Sequence, residues 1–212
     1  MFSAHRRRTI LVAIALAVVV AGVVGSVVSS ASSTRAPRSH HSISVSLRRH
    51  FSVLHAVRAA TADQSGALPA GVTQELTEAG SMSAQYRLEP AQAQHVTLGD
   101  GSGAWVIPGS AGVCLVVQTP PATESGVVCG SVASANAGTV MLVRSDPSTG
   151  AKTVSGLAPN GSTAVTLTGD DGSTTQVPVT DNVYETSITA KPKSITVRDA
   201  QGKPTITSLP GQ

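Results

Sequence analysis

Four times after Leu88 the chain alternates apolar and polar residues, enters a cluster of Asp and Gly, and returns through a second short apolar stretch. Val96-Thr97-Leu98 leads through Gly99-Asp100-Gly101-Ser102-Gly103 into Ala104-Trp105-Val106-Ile107, and Thr139 to Arg144 leads through Asp146-Pro147-Ser148-Thr149-Gly150 to Val154. The third pair is Val165-Thr166-Leu167 with Val177-Pro178-Val179 around Gly169 to Gly172. The fourth is Ile195-Thr196-Val197 with Thr205-Ile206-Thr207 around Asp199 to Gly202. Period-two alternation half-buries a strand, and Asp/Gly clusters supply the backbone conformations of tight hairpins. The expected fold class is therefore mainly β, an antiparallel hairpin-rich sheet or sandwich with one or two short N-terminal helices. Setting Val165 opposite Val179 and Leu167 opposite Val177 puts all four on one face. Pro178 predicts that its strand lies at an edge or a bulge. The flanks of the four units do not align at a fixed period, so they share turn chemistry rather than forming a true repeat.

The helical part precedes these strands. Phe51, Leu54 and Val57 recur at helical spacing between His50 and Ala60, with Arg49, His55 and Arg58 on other faces. This apolar face is narrow, which favours docking on the chain's own domain over lying on anionic lipid. A second helix is expected from Pro69 or Val72 to Ala79, with Pro69 suited to a first turn and Gly80 placed to end it.

At the start of the chain Arg6, Arg7 and Arg8 precede an apolar run over residues 10–28, broken only by two glycines and Ser26. Such a run is long enough to cross a hydrocarbon core of roughly 30 Å as a single transmembrane helix. The reading is a cytoplasmic basic tail (1–9), a transmembrane helix or uncleaved signal anchor (10–28), a flexible Ser-rich tether (29–47) and an extracytoplasmic β-rich domain (48–212). The run exceeds the roughly 7 to 15 apolar residues of a secretory signal, which favours retention. Ser29-Ser30-Ala31 supplies the small residues of a cleavage site, so secretion after a cut near Ala31 is the alternative. The near arginines place the N-terminus in the cytoplasm and the domain outside, in a cell membrane crossed once. The lipid bilayer is then one partner through residues 10–28, and an envelope protein or polymer is a second.

A formal charge of +3 invites a nucleic-acid reading, but its distribution argues otherwise. No acidic residue precedes Asp63, whereas from Asp63 onward seven basic side chains face twelve acidic ones, a net of −5. The basicity belongs to the membrane flank and the domain is acidic, so no nucleic-acid partner is expected. Aromatic rings for base stacking are also scarce.

Cys114 lies in Val113-Cys114-Leu115-Val116-Val117 and Cys129 in Val127-Val128-Cys129, equidistant from the turn-forming stretch around Pro121 and Ala122. In an oxidising compartment such cysteines face each other across a hairpin as a disulfide. A catalytic thiol or metal pair needs a CxxC spacing or a nearby histidine, and the flanks here are valine and glycine. Other chemistry is sparse. His40, His41, His50 and His55 lie in or beside the tether, a poor frame for a rigid metal site, and no metal or cofactor is expected. His95, Asp100 and Ser102 sit close in sequence, but their order matches no hydrolase loop and a hairpin turn accounts for them. No catalytic residue is assigned. His95 and Trp105 mark the neighbourhood where a ligand site is sought, with a core anchor as the plainer role for Trp105.

Trp105-Val106-Ile107-Pro108-Gly109, Gly112-Val113-Cys114-Leu115, Gly156-Leu157-Ala158-Pro159-Asn160-Gly161, Val165-Thr166-Leu167, Asp171-Gly172, Val177-Pro178-Val179 and Asp181-Asn182-Val183-Tyr184 together resemble uncharacterised membrane-anchored or exported proteins of high-GC Gram-positive, actinobacterial-type bacteria. The resemblance implies an extracytoplasmic bacterial protein, favours the disulfide and carries no known activity. The functional expectation is a non-enzymatic structural or binding module of the cell envelope. An exported hydrolase with an unrecognised active site is the alternative.

Overall fold

The hairpins fold as antiparallel strands, eleven of them among the residues that the computed structural model describes (43–54, 68–119, 124–147 and 149–209). The first sheet joins β1 (Gln94–Thr97), β2 (Gly103–Pro108), β3 (Gly112–Thr119) and β4 (Glu124–Ser131) in chain order. Next come β5 (Met141–Ser145), β6 (Lys152–Leu157), β7 (Ala164–Gly169), β8 (Thr174–Pro178), β9 (Val183–Ile188), β10 (Pro192–Arg198) and β11 (Pro204–Ser208). They form a three-stranded sheet, β5-β6-β9, and a four-stranded one, β11-β10-β7-β8. Pro178 lies in β8, an edge strand of the latter, where its missing N–H leaves no ladder bond unmade.

Alternation sorts the side chains into layers. Leu157 and Val183 of the β5-β6-β9 sheet share a core with Val106, Val113 and Leu115 of the first sheet. Val154 and Tyr184, of opposite parity on the same strands, share a second core with Val165, Leu167, Ile195 and Val197. The three-stranded sheet is thus a middle layer covered on both faces. The far face of the first sheet, with Ile107, Cys114 and Val116, is covered by Val72 and Leu76 of a helix, α2 below.

The helices differ in extent from the sequence reading. The first, α1, spans Val45–His50 and is followed by a 3-10 turn at Ser52–Leu54. Ile43, Leu47, Phe51 and Leu54 are each at most 2 % exposed. Ile43 and Leu47, read from the sequence as the end of the tether, therefore belong to the core; the serines around them hid the four-residue spacing. The apolar face docks on its own domain, and the rest of the expected helix, residues 55–60, lies outside the described residues. The second helix, α2, spans Ala70–Glu78 directly after Pro69. Gly80 does not end the helical region but opens α3 (Gly80–Tyr86), which stops at Arg87 in a left-handed conformation, φ 49°. A fourth, α4 (Val132–Asn136), is capped by Ser131, whose hydroxyl accepts from the Ser134 N–H at 3.1 Å.

The third hairpin forms in a shifted register: Val165 pairs with Val177 and Leu167 with Thr175. The shift is two residues, so the face is preserved. Its cause is a tight turn in which Gly169 N–H donates to Ser173 O at 2.9 Å and Asp171 Oδ1 accepts from Ser173 N–H. The Asp100 turn repeats these bonds with Leu98 and Ser102.

Cys114 and Cys129 are directly opposed in the β3–β4 ladder and joined as a disulfide, with Cα atoms 4.0 Å apart. The loop between them spans 15 residues. Such a closure is worth about 3 kcal/mol in the chain-entropy account. Replacing both cysteines by alanine is expected to lower the unfolding free energy by that amount in urea titrations, leaving the reduced wild type and the variant alike. A variant as stable as the oxidised wild type would refute it.

Among the described residues no helix is long and apolar enough to cross a membrane; the run 10–28, the basic tail 1–9 and tether residues 29–42 lie outside them.

Candidate functional site

Where the first sheet meets the middle sheet, the apolar contact is interrupted by a polar seam. Glu185 on β9, Ser155 on β6 and Arg144 on β5 project from one face of the middle sheet, because Ser155 pairs with both Glu185 and Leu142, two residues from Arg144. Ser102 arrives from the β1–β2 turn and is 1 % exposed. Glu185 Oε2 accepts from the Ser155 hydroxyl at 2.5 Å and lies 3.6 Å from Arg144 Nη2, while Oε1 accepts from Ser102 Oγ at 3.2 Å. The single Ser102 Oγ proton is shared with Asp100 Oδ1, the nearer acceptor at 2.6 Å. That hydroxyl, together with the Ser102 N–H, holds the Asp100 carboxyl below its usual range. The Glu185 and Arg144 side chains are 5 % and 20 % exposed. Arg144 Nε and Nη2 are buried with no hydrogen-bond partner among the described residues, so the Glu185 charge is what compensates this guanidinium.

The seam is closed to solvent, and its serine is poorly placed for nucleophilic chemistry. The Ser102 hydroxyl is directed at two carboxylates, among the described residues no imidazole bonds to it, and its burial leaves no room for an acyl group. His95 belongs to the opposite face of the first sheet. It pairs with Trp105 across β1 and β2, ring centroids 4.8 Å apart at 51°. Trp105 packs against the core beneath α2, and its Nε1–H is buried without a hydrogen-bond partner among the described residues. The sequence candidates are therefore divided: His95 with Trp105 on one face, Ser102 with Asp100 on the other.

No protein-family model, curated protein or solved structure matches the chain. The geometry alone carries the reading.

A second polar constellation joins the N-terminal segment to the domain. Asp181 and Asn182 both take positive φ, 46° and 66°, in a two-residue turn closed by paired 2.8 Å bonds between Thr180 and Val183. This turn aims the Asn182 side chain inward, at 4 % exposure. Its Oδ1 accepts from Ser52 Oγ at 3.1 Å and Val53 N–H at 3.0 Å; its Nδ2 donates to Ala158 O and to Asn160 Oδ1. Asn160 accepts from Ser52 N–H, and donates from Nδ2 to Arg49 O and from its own N–H to His50 O. The two asparagines thus satisfy the last carbonyls of α1 and the first amides after it. Asn160 heads a glycosylation sequon, but both ends of its amide are engaged internally. The sequence gives one signal for the clamp, the Asp181-Asn182 pair as a turn of positive φ. For the seam it gives another, a charged residue at an inward position of each of β5 and β9.

Tyr184 shows how the middle sheet is sealed. It is 1 % exposed, and a Cβ at its cross-strand partner Gly156 would meet the phenol oxygen at 2.2 Å. The ring therefore lies over a glycine, and its hydroxyl is buried without a partner among the described residues. Burial pushes the phenol well above its usual value of 10.0. A raised folded-state value means that this contribution to stability is complete below about pH 10 and is lost as pH rises further. Tyr184→Phe removes an unsatisfied group and is expected to stabilise by about 1 kcal/mol. Its melting temperature should also fall less steeply than the wild type's over the alkaline range in which the Tyr184 phenol ionises. Equal alkaline decline in thermal melts of both proteins would contradict this.

Proposed function

We propose that the chain is a membrane-tethered extracytoplasmic β module of the bacterial envelope, acting without catalysis as a structural or binding element. The cross-strand disulfide carries this reading, because such bonds persist in oxidising compartments. The apolar run 10–28 supplies the anchor and the flanking arginines its orientation. Fourteen residues separate Val28 from Ile43, where the core begins. The environment of Ser102 speaks against the exported-hydrolase alternative.

Four measurements test the reading. External protease added to intact cells should digest the domain, the chain should remain in carbonate-washed membranes, and the mature N-terminus should retain residues 10–28. A mature mass beginning after Ala31 would replace tethering by secretion. Serine-reactive fluorophosphonate should not label the protein; labelling abolished by Ser102→Ala would establish the hydrolase instead.

A further inference from the structure

Beside the turn of the third hairpin, β7 and β8 leave a cleft of about 350 Å³ against the end of β9 and the connection to β10. Leu167 and Ile188, both part of the second core, form its apolar floor. Asp171, Ser173, Thr175 and Thr189 also line it, and every polar side-chain atom of the lining is an oxygen. Asp171 is drawn over Gly169, where a Cβ would meet Oδ1 at 2.6 Å and Ser173 Oγ at 2.8 Å. Its Oδ1 takes the Ser173 hydroxyl at 2.6 Å and the Ser173 N–H at 2.9 Å, leaving Oδ2 for a ligand. The same two bonds hold the carboxyl below its usual range, hence ionised at neutral pH. Lys191 follows close in sequence but is not part of the lining, and Asp170 is tied by its N–H to Lys191 O.

The chemistry of this lining selects its ligand. Among the lining residues an anion finds no lysine, arginine or side-chain amide and meets the Asp171 charge, a divalent cation finds one carboxylate where it needs several oxygens of high charge, and a sugar finds no aromatic face. We propose that the cleft is a binding site for a primary ammonium on a short aliphatic stem, the chemistry of a lysine side chain. The ammonium meets Asp171 Oδ2 and the threonine hydroxyls, and the methylenes lie along Leu167 and Ile188. The inference goes beyond the envelope reading, which names no ligand, and its failure leaves the localisation and disulfide tests untouched.

The test is methyl and amide NMR of the full-length chain in nanodiscs of zwitterionic lipid, titrated with n-butylammonium, 1-butanol and butyrate. Saturable shifts at Leu167, Ile188 and Ser173 with n-butylammonium alone, at a Kd on the order of millimolar, are expected. Capped lysine binding as tightly would identify a side chain as the source; weaker binding would identify a free alkylamine. Asp171→Asn retains an oxygen for the turn and should weaken n-butylammonium about fivefold, the scale of one exposed charge pair. Equal shifts with 1-butanol, undiminished affinity in Asp171→Asn, or no saturable shift would each overturn the proposal. Discrimination among the three probes by the wild type decides the matter even if the variant fails to fold.

Discussion

Asn182→Asp is expected to destabilise the protein by about 4 kcal/mol, from two buried donors lost and a charge left facing two oxygen acceptors. The wild-type Nδ2 points at Ala158 O and Asn160 Oδ1, so a carboxylate oxygen in its place repels both. Asn182→Ala should cost less, about 3 kcal/mol, because it strands the same groups without adding charge. Part of that cost is backbone strain at φ 66°, which Asn182→Gly would isolate by relieving it. The loss should appear as global destabilisation rather than local fraying. Ile43, Leu47, Phe51 and Leu54 are buried in the shared core, and burying each is worth roughly 1.5–3 kcal/mol, so the segment does not detach at low cost. Urea titration gives the global term. Hydrogen exchange at the Ser52 and Val53 amides, the two held by the clamp, reports on the segment itself. Wild-type stability in Asn182→Asp would show that the clamp is incidental and that apolar burial alone fixes residues 43–54.

What the sequence made legible follows from what each signal depends on. The hairpins were readable because alternation and Asp/Gly turns are local, and each of the four forms. The disulfide was readable because symmetry about a turn fixes which residues oppose each other. The register of the third hairpin was not, since it depends on whether Asp171 folds its carboxylate onto Ser173, a choice shared with wider turns. The pairing of β6 with β9 joins residues about 30 positions apart across an intervening hairpin, and no local pattern encodes it. Glu185 and Asn182 inherit that difficulty. Their partners Ser155, Ser102, Ser52 and Asn160 lie on distant segments, so an inward carboxylate and a positive-φ turn mark the two residues without showing what they meet. His95 and Trp105 are adjacent as a cross-strand pair at the rim of a core.

Glu185→Ala should cost about 3–4 kcal/mol, the scale for breaking a buried ion pair by removing one partner. The variant leaves the Arg144 guanidinium with buried nitrogens and no neutralising charge, and removes the acceptor of the Ser155 hydroxyl. The Arg144 stem packs over Gly126 on β4, where a Cβ would meet its Cδ at 2.9 Å. Arg144→Met with Glu185→Gln is expected within about 1 kcal/mol of wild type, since neutral groups of similar shape avoid both desolvation penalties. The single variants Arg144→Met and Glu185→Gln close a cycle with this double, and a coupling energy of about 0.5–3 kcal/mol is expected if the pair acts as a unit. The coupling should persist in 1 M salt, where exposed pairs are screened. Additive losses, or a coupling abolished by salt, would mean that Arg144 is solvated in solution. The Ser102 and Ser155 hydroxyls alone would then set how the first sheet seats on the middle one.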